Sequence, residues 1–153
     1  MGIEDLLATI RGFDGIVELA PQPGSDAPEI AWGDHFFYWS PDGAVPERGQ
    51  PYATIVTKDY PDDTSSQLDR PGRFRVNVQV PAAAFSELVA EAGQAPDHAE
   101  ADRVLPHPVY AAQSWVAVVD PGPRTTATLL RLLEAAHDRA HLRGERRGDV
   151  AGP

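Results

Sequence analysis

Cysteine is absent from the 153 residues. That excludes disulfides, thiolate nucleophiles, iron–sulfur clusters and cysteine-held zinc, so any metal would need histidine and carboxylate ligands. Lysine is nearly absent as well, with Lys58 standing alone. No apolar run approaches the about 18 residues of a membrane span. The start, Met1-Gly-Ile-Glu-Asp-Leu-Leu7, is acidic where a secretory signal is basic and then apolar. These absences set the expectation of a cytoplasmic chain with no membrane contact. Also missing are a Gly-x-Gly-x-x-Gly fingerprint, a phosphate loop and a Gly-x-Ser-x-Gly elbow.

Acidic charge is plentiful and uneven. Residues 1–69 hold thirteen of the 23 acidic residues and three of the 13 basic ones; the rest of the chain holds ten of each. A net charge of −10 repels phosphate backbones and argues against a broad nucleic-acid surface. The length, with 42% hydrophobic residues, suits one domain with a real core.

Periodicity predicts the elements in order. Ile3, Leu6, Leu7 and Ile10 recur at helical spacing, with Glu4 and Asp5 in the first turn and Gly12 as a stop. Strands are predicted at 15–20, 34–40 and 52–58. The clearest is 73–80, where Phe74, Val76, Val78 and Val80 alternate with Arg73, Arg75, Asn77 and Gln79. That alternation predicts one buried and one wet face. A helix opens at Pro81, a fifth strand runs from Trp115 to Val119, and a last helix, capped by Thr125 or Thr126, ends near Leu142 or Arg143. Strand 115–119 is apolar on both faces, which places it near the sheet centre. The fold class expected is α+β: a single domain over 1–143, with an antiparallel sheet of about five strands, helices on one face, and the order α-β-β-β-β-α-β-α. Residues 144–153 lack apolar periodicity and are expected to form a flexible tail.

Five constellations carry candidate chemistry. In Pro106-His107-Pro108-Val109-Tyr110, two prolines fix the backbone around a histidine that could serve as acid, base or ligand, or could simply cap a rigid connector. Lys58, at a strand end beside Asp59, could bind an anion or pair with Asp59, Asp62 or Asp63. The carboxylates Asp59, Asp62, Asp63 and Asp69 lack the spacing, central glycine and terminal glutamate of a calcium loop, and read as a solvated acidic loop. His137 and His141 have metal-pair spacing but no accompanying glutamate, and their place near a helix C-terminus accounts for them. No metal and no cofactor is therefore expected. Arg139, Arg143, Arg146 and Arg147 form one basic patch and Arg70, Arg73 and Arg75 another; without interleaved aromatics they read as solvated faces.

Tyr38-Trp-Ser-Pro-Asp-Gly43, Pro51-Tyr-Ala-Thr-Ile-Val-Thr-Lys-Asp-Tyr60, Leu68-Asp-Arg-Pro-Gly-Arg-Phe-Arg-Val-Asn77 and Pro106 to Tyr110 with Trp115 to Gly122 together resemble an uncharacterised bacterial family, domain of unknown function 6194. The resemblance implies no activity and supplies no catalytic residues. Tyr52 to Val56, Pro106 to Tyr110, Trp115 to Val119 and Thr125 to Leu142 are more weakly similar to the YjbR/MmcQ-like proteins, which implies a frataxin-like α+β layout. The lysine-rich features of that family are missing here, so this likeness bears on fold.

The leading expectation is a binding domain for a small molecule or a protein. Its pocket would lie between the aromatic strand and the Pro-His-Pro loop, lined by His35, Tyr38, Lys58, His107, Tyr110 and Trp115. One alternative is an enzyme using His107 as general acid or base, with Lys58 or Asp59. Another is weak nucleic-acid binding through the arginine patches.

Overall fold

Alternation of β-branched and polar residues puts strand β4 (Arg75–Gln79) in the interior of the sheet, between β3 (Ala53–Val56) and β6 (Trp115–Val119). β2 (His35–Trp39) and β1 (Ile16–Leu19) continue the sheet on one side, and the two-residue β5 (Leu105–Pro106) closes the other. The order is β1-β2-β3-β4-β6-β5 and every pair is antiparallel. The structure is a computed structural model that describes residues 2–47 and 49–151, with the backbone alone over 146–151.

Register aligns Ala53 with Val78, Ile55 with Val76, Val76 with Val118 and Val78 with Val116. These residues and Phe37 form one continuous apolar face. Helices α1 (Ile3–Arg11) and α3 (Thr126–Ala151) cover it with Leu6, Leu7, Ile10, Leu129, Leu133 and Ala136. Each such leucine or isoleucine, fully buried, contributes about 1.5–3 kcal/mol. Helix α2 (Ala82–Val89) packs Phe85, Leu88 and Val89 on the same core while staying half-buried. The α+β architecture matches the expectation, with six strands among the described residues in place of about five because β5 adds a short pairing to β6.

Three local features differ from the expectation. The start of α3 is capped from a distance: Asp102 Oδ1 accepts from Gly122 N (2.8 Å), Thr125 N (3.1 Å) and Thr125 Oγ1 (2.6 Å), and Oδ2 accepts from Arg124 N (3.1 Å). Asp102 adopts a left-handed backbone (φ 54°), which aspartate tolerates better than most residues. The helical backbone of α3 continues to Ala151, beyond the end of its apolar periodicity near Leu142. Finally, the face of β4 expected to be wet is not: Arg75 and Asn77 are each 2% exposed. Among the described residues no helix is long and apolar enough to cross a membrane.

Candidate functional site

The sheet face opposite the helices is the one that carries Arg75 and Asn77. Their register partners on either side are Val56 and Thr54 of β3 and Val119 and Ala117 of β6. A cavity of about 720 Å³ opens on this face. Thr54, Val56, Arg75, Asn77 and Trp115 line its floor, and Ile30, Tyr60, Asp63, His107 and Tyr110 are among its walls.

The loop from Asp59 to Gly72 is built to aim Asp63 inward. Asp59 N donates to Asp69 Oδ1 (2.9 Å), and Leu68 N donates to Asp59 Oδ1 (2.8 Å). Leu68 is buried against Val56 and Val119 and anchors the loop. Tyr60 and Asp63 exchange backbone hydrogen bonds of 3.2 and 2.9 Å. The carboxylate of Asp63 then meets Arg75 as a two-bond fork, Nη1–Oδ1 3.0 Å and Nη2–Oδ2 2.6 Å. Arg75 Nη1 also donates to Ser66 Oγ (2.9 Å), and Nε donates to Asn77 Oδ1 (2.8 Å). Asn77 Nδ2 passes the chain on to Thr54 Oγ1 (2.9 Å). Burial alone would raise the Asp63 pKa; the guanidinium more than offsets this and holds it below the usual carboxylate range.

His107 is positioned by the prolines on either side and by its own backbone, whose N–H donates to Trp115 O (3.0 Å). His107 is 5% exposed. Nδ1 accepts from Val109 N and Tyr110 N, both at 3.0 Å. Nε2 lies 3.3 Å from Arg75 Nη2. The Tyr110 ring is tilted 5.0 Å away and the Trp115 ring stands edge-on at 6.4 Å. Burial first, and the Arg75 charge second, push the His107 pKa down to about 4. The side chain is therefore neutral at pH 7. With Nδ1 taken up by two backbone donors, its proton sits on Nε2.

A second polar cluster supports the wall. Asp34 is fully buried, and its Oδ1 accepts from Thr57 N (2.8 Å), Thr57 Oγ1 (2.8 Å) and Lys58 Nζ (3.0 Å). Lys58 Nζ also donates to Trp32 O (2.7 Å). The Tyr60 hydroxyl donates to Asp34 Oδ2, which fixes the ring that lines the cavity. Burial, and then the Asp34 carboxylate, raise the Tyr60 pKa.

Of the six residues expected from the sequence, His107, Tyr110 and Trp115 share the cavity. The other three do not line it. His35 pairs with Glu18 at 2.6 Å and stacks with Phe37 of the core. Tyr38 lines a separate cavity of about 220 Å³ with Trp39, Tyr52 and Arg143. Lys58 is engaged by Asp34 rather than by Asp59, Asp62 or Asp63. Of the 70–75 arginines expected to form a solvated face, Arg70 is exposed and the other two are not solvated. Arg75 is buried, and Arg73 donates to the carbonyls of Ser66 and Ala99. Asp63 likewise leaves the group read as a solvated loop.

His137 and His141 part company. His137 Nε2 donates to Asp14 O (2.6 Å) while Nδ1 accepts from Tyr52 Oη (3.0 Å). His141 stacks on Trp39 at 4.6 Å and pairs with Glu145 at 2.8 Å. Arg139 donates to Gln79 O (2.8 Å), and the side chains of Arg146 and Arg147 lie outside the described residues.

Sequence reasoning missed Arg75, Asn77 and Asp63. The available signal was an arginine and an asparagine inside the chain's clearest strand, which a fully wet face did not require.

Fold and cavity together define a single-sheet α+β domain with helices on one face and a walled, polar-floored cavity on the other. A family model for a family of unknown function (DUF6194) matches residues 1–149, and the chain belongs to that family. No curated protein and no solved structure matches it, so the likeness to the YjbR/MmcQ-like proteins gains no support.

Proposed function

We propose that this domain binds a small molecule in the cavity on the open face of its sheet. The observation that carries the reading is the pairing of an apolar rim with a buried, almost fully hydrogen-bonded floor. Ile30, Val109 and Tyr110 are 41%, 37% and 50% exposed at the mouth, while Arg75 and Asn77 are almost fully covered beneath them. Binding pockets combine apolar walls with a few fixed polar groups in this way, and the volume suits a drug-sized ligand.

The reading of His107 as a general base is weaker. Its Nδ1 lone pair already serves two backbone N–H groups, and neither Lys58 nor Asp59 lines the cavity. Nucleic-acid binding is weaker too, since Arg73, Arg75 and Arg139 are spent on internal partners. The bacterial, cytoplasmic setting expected from the sequence is part of the same proposal. Thermal-shift screening of the chain against a metabolite library tests it. The expected result is stabilisation by ligands that also perturb the amides of Asn77, Val109 and Tyr110. Stabilising ligands that perturb only other surfaces would count against it.

A further inference from the structure

We propose that the floor of the cavity recognises an uncharged carbonyl-type oxygen on a flat, mostly apolar ligand, held between Arg75 Nη2 and His107 Nε2. This rests on the reading of the cavity as a ligand site and names what that site takes.

The floor of the cavity holds an excess of donors. A neutral imidazole has one acceptor nitrogen and one N–H. Three N–H groups face the two ring nitrogens of His107: Val109 N and Tyr110 N at Nδ1, and Arg75 Nη2 at Nε2. Two backbone donors at 3.0 Å hold the lone pair on Nδ1. The ring proton then sits on Nε2, facing a guanidinium N–H across 3.3 Å, and among the described residues no acceptor is hydrogen-bonded to Nε2. The remaining Arg75 donors are satisfied by Asp63, Ser66 and Asn77. A buried donor without a partner costs about 1–3 kcal/mol. One ligand oxygen set against both groups would give each an acceptor.

The charge of that oxygen follows from its neighbours. The positive charge of Arg75 is already met by the Asp63 carboxylate, whose Oδ2 lies 2.6 Å from the same Nη2. Asp62 also lines the cavity. A ligand carboxylate would bring a further negative charge beside Asp63, and among the described residues that line the cavity Arg75 is the one cation, already paired; an unpaired buried charge is costly. A carbonyl gains the same two hydrogen bonds without that penalty. The shape follows from Phe36, Trp115 and the apolar mouth, which favour a flat ring.

Three probes of one shape separate the possibilities: benzamide, benzoate and toluene, titrated into the intact chain at neutral pH and followed by amide and indole NMR. The expected result is that benzamide shifts Asn77, Val109, Tyr110 and the Trp115 indole, and binds at least about tenfold more tightly than either other probe. A His107→Phe variant, which leaves only the Arg75 donor, should narrow the gap between benzamide and toluene. Benzoate binding as tightly as benzamide would overturn the uncharged acceptor. Toluene matching benzamide on the unaltered chain would overturn recognition of any polar group while leaving the cavity a ligand site. If no probe perturbs these residues, both the inference and the ligand site are contradicted. The three-probe comparison needs no variant, so it stands even if His107→Phe does not fold.

Discussion

Arg75 and Asp63 face each other as a bidentate pair, with the arginine side chain 2% exposed and the aspartate 11%. Strand β4 supplies one partner and the 59–72 loop the other, so this pair fastens the loop over the sheet and sets one wall of the cavity. Removing one member leaves a buried charge alone. Asp63→Ala is expected to destabilise the chain by about 3–5 kcal/mol in urea unfolding. Replacing both, as Asp63→Leu with Arg75→Met, should recover most of that loss. A cost below about 1 kcal/mol for Asp63→Ala would mean the pair does not hold the loop.

His107 gives stability a pH dependence of known sign. Burial and the Arg75 charge hold its folded pKa near 4, with Asp63 opposing and His98 adding to the depression. Between pH 6.5 and about 4 the unfolded chain binds a proton here that the folded chain refuses. Stability is therefore complete above pH 6.5 and falls as pH drops through that window, by on the order of 3 kcal/mol. His107→Phe should remove this component. Parallel pH profiles for the two chains would contradict it.

Asp102 caps α3 from outside the helix with four hydrogen bonds. Asp102→Ala should cost about 1–2 kcal/mol of unfolding free energy. Asp102→Gly should cost less, because glycine accepts the left-handed backbone without strain while losing the same cap. Equal stability of wild type and Asp102→Ala would show that the cap is dispensable.

Trp39 is seated on two glycines. A side-chain carbon at Gly15 would lie 2.5 Å from the indole Nε1, and one at Gly144 would overlap the ring itself. Gly144→Ala should therefore displace the indole, shift tryptophan fluorescence, and destabilise by about 1–3 kcal/mol. In a Trp39→Leu background the same substitution should cost less. An equal cost in both backgrounds would place the effect elsewhere.

The strands were legible because alternation in Phe74 to Val80 and the apolar run of Trp115 to Val119 report burial directly. The polar face of β4 was not. Arg75 and Asn77 alternate as solvent-facing residues would, and alternation does not reveal whether water or a folded loop covers them. What covers them is partly Asp63, whose sequence neighbours made it look like one solvated carboxylate among four. Lys58 was obscured by distance along the chain, since its carboxylate partner, Asp34, lies 24 residues upstream. His107, Tyr110 and Trp115 were easier, because rigid prolines and a following buried strand keep them close in sequence as well as in space.

One location is expected for the ligand. A crystal structure of the chain with the most stabilising compound from a screen tests it most directly. The account predicts ligand density over Asn77, between the Arg75–His107 pair and the Trp115 ring, with a ligand oxygen in reach of both Nη2 and Nε2. Density on another surface, with this cavity unchanged, would contradict it.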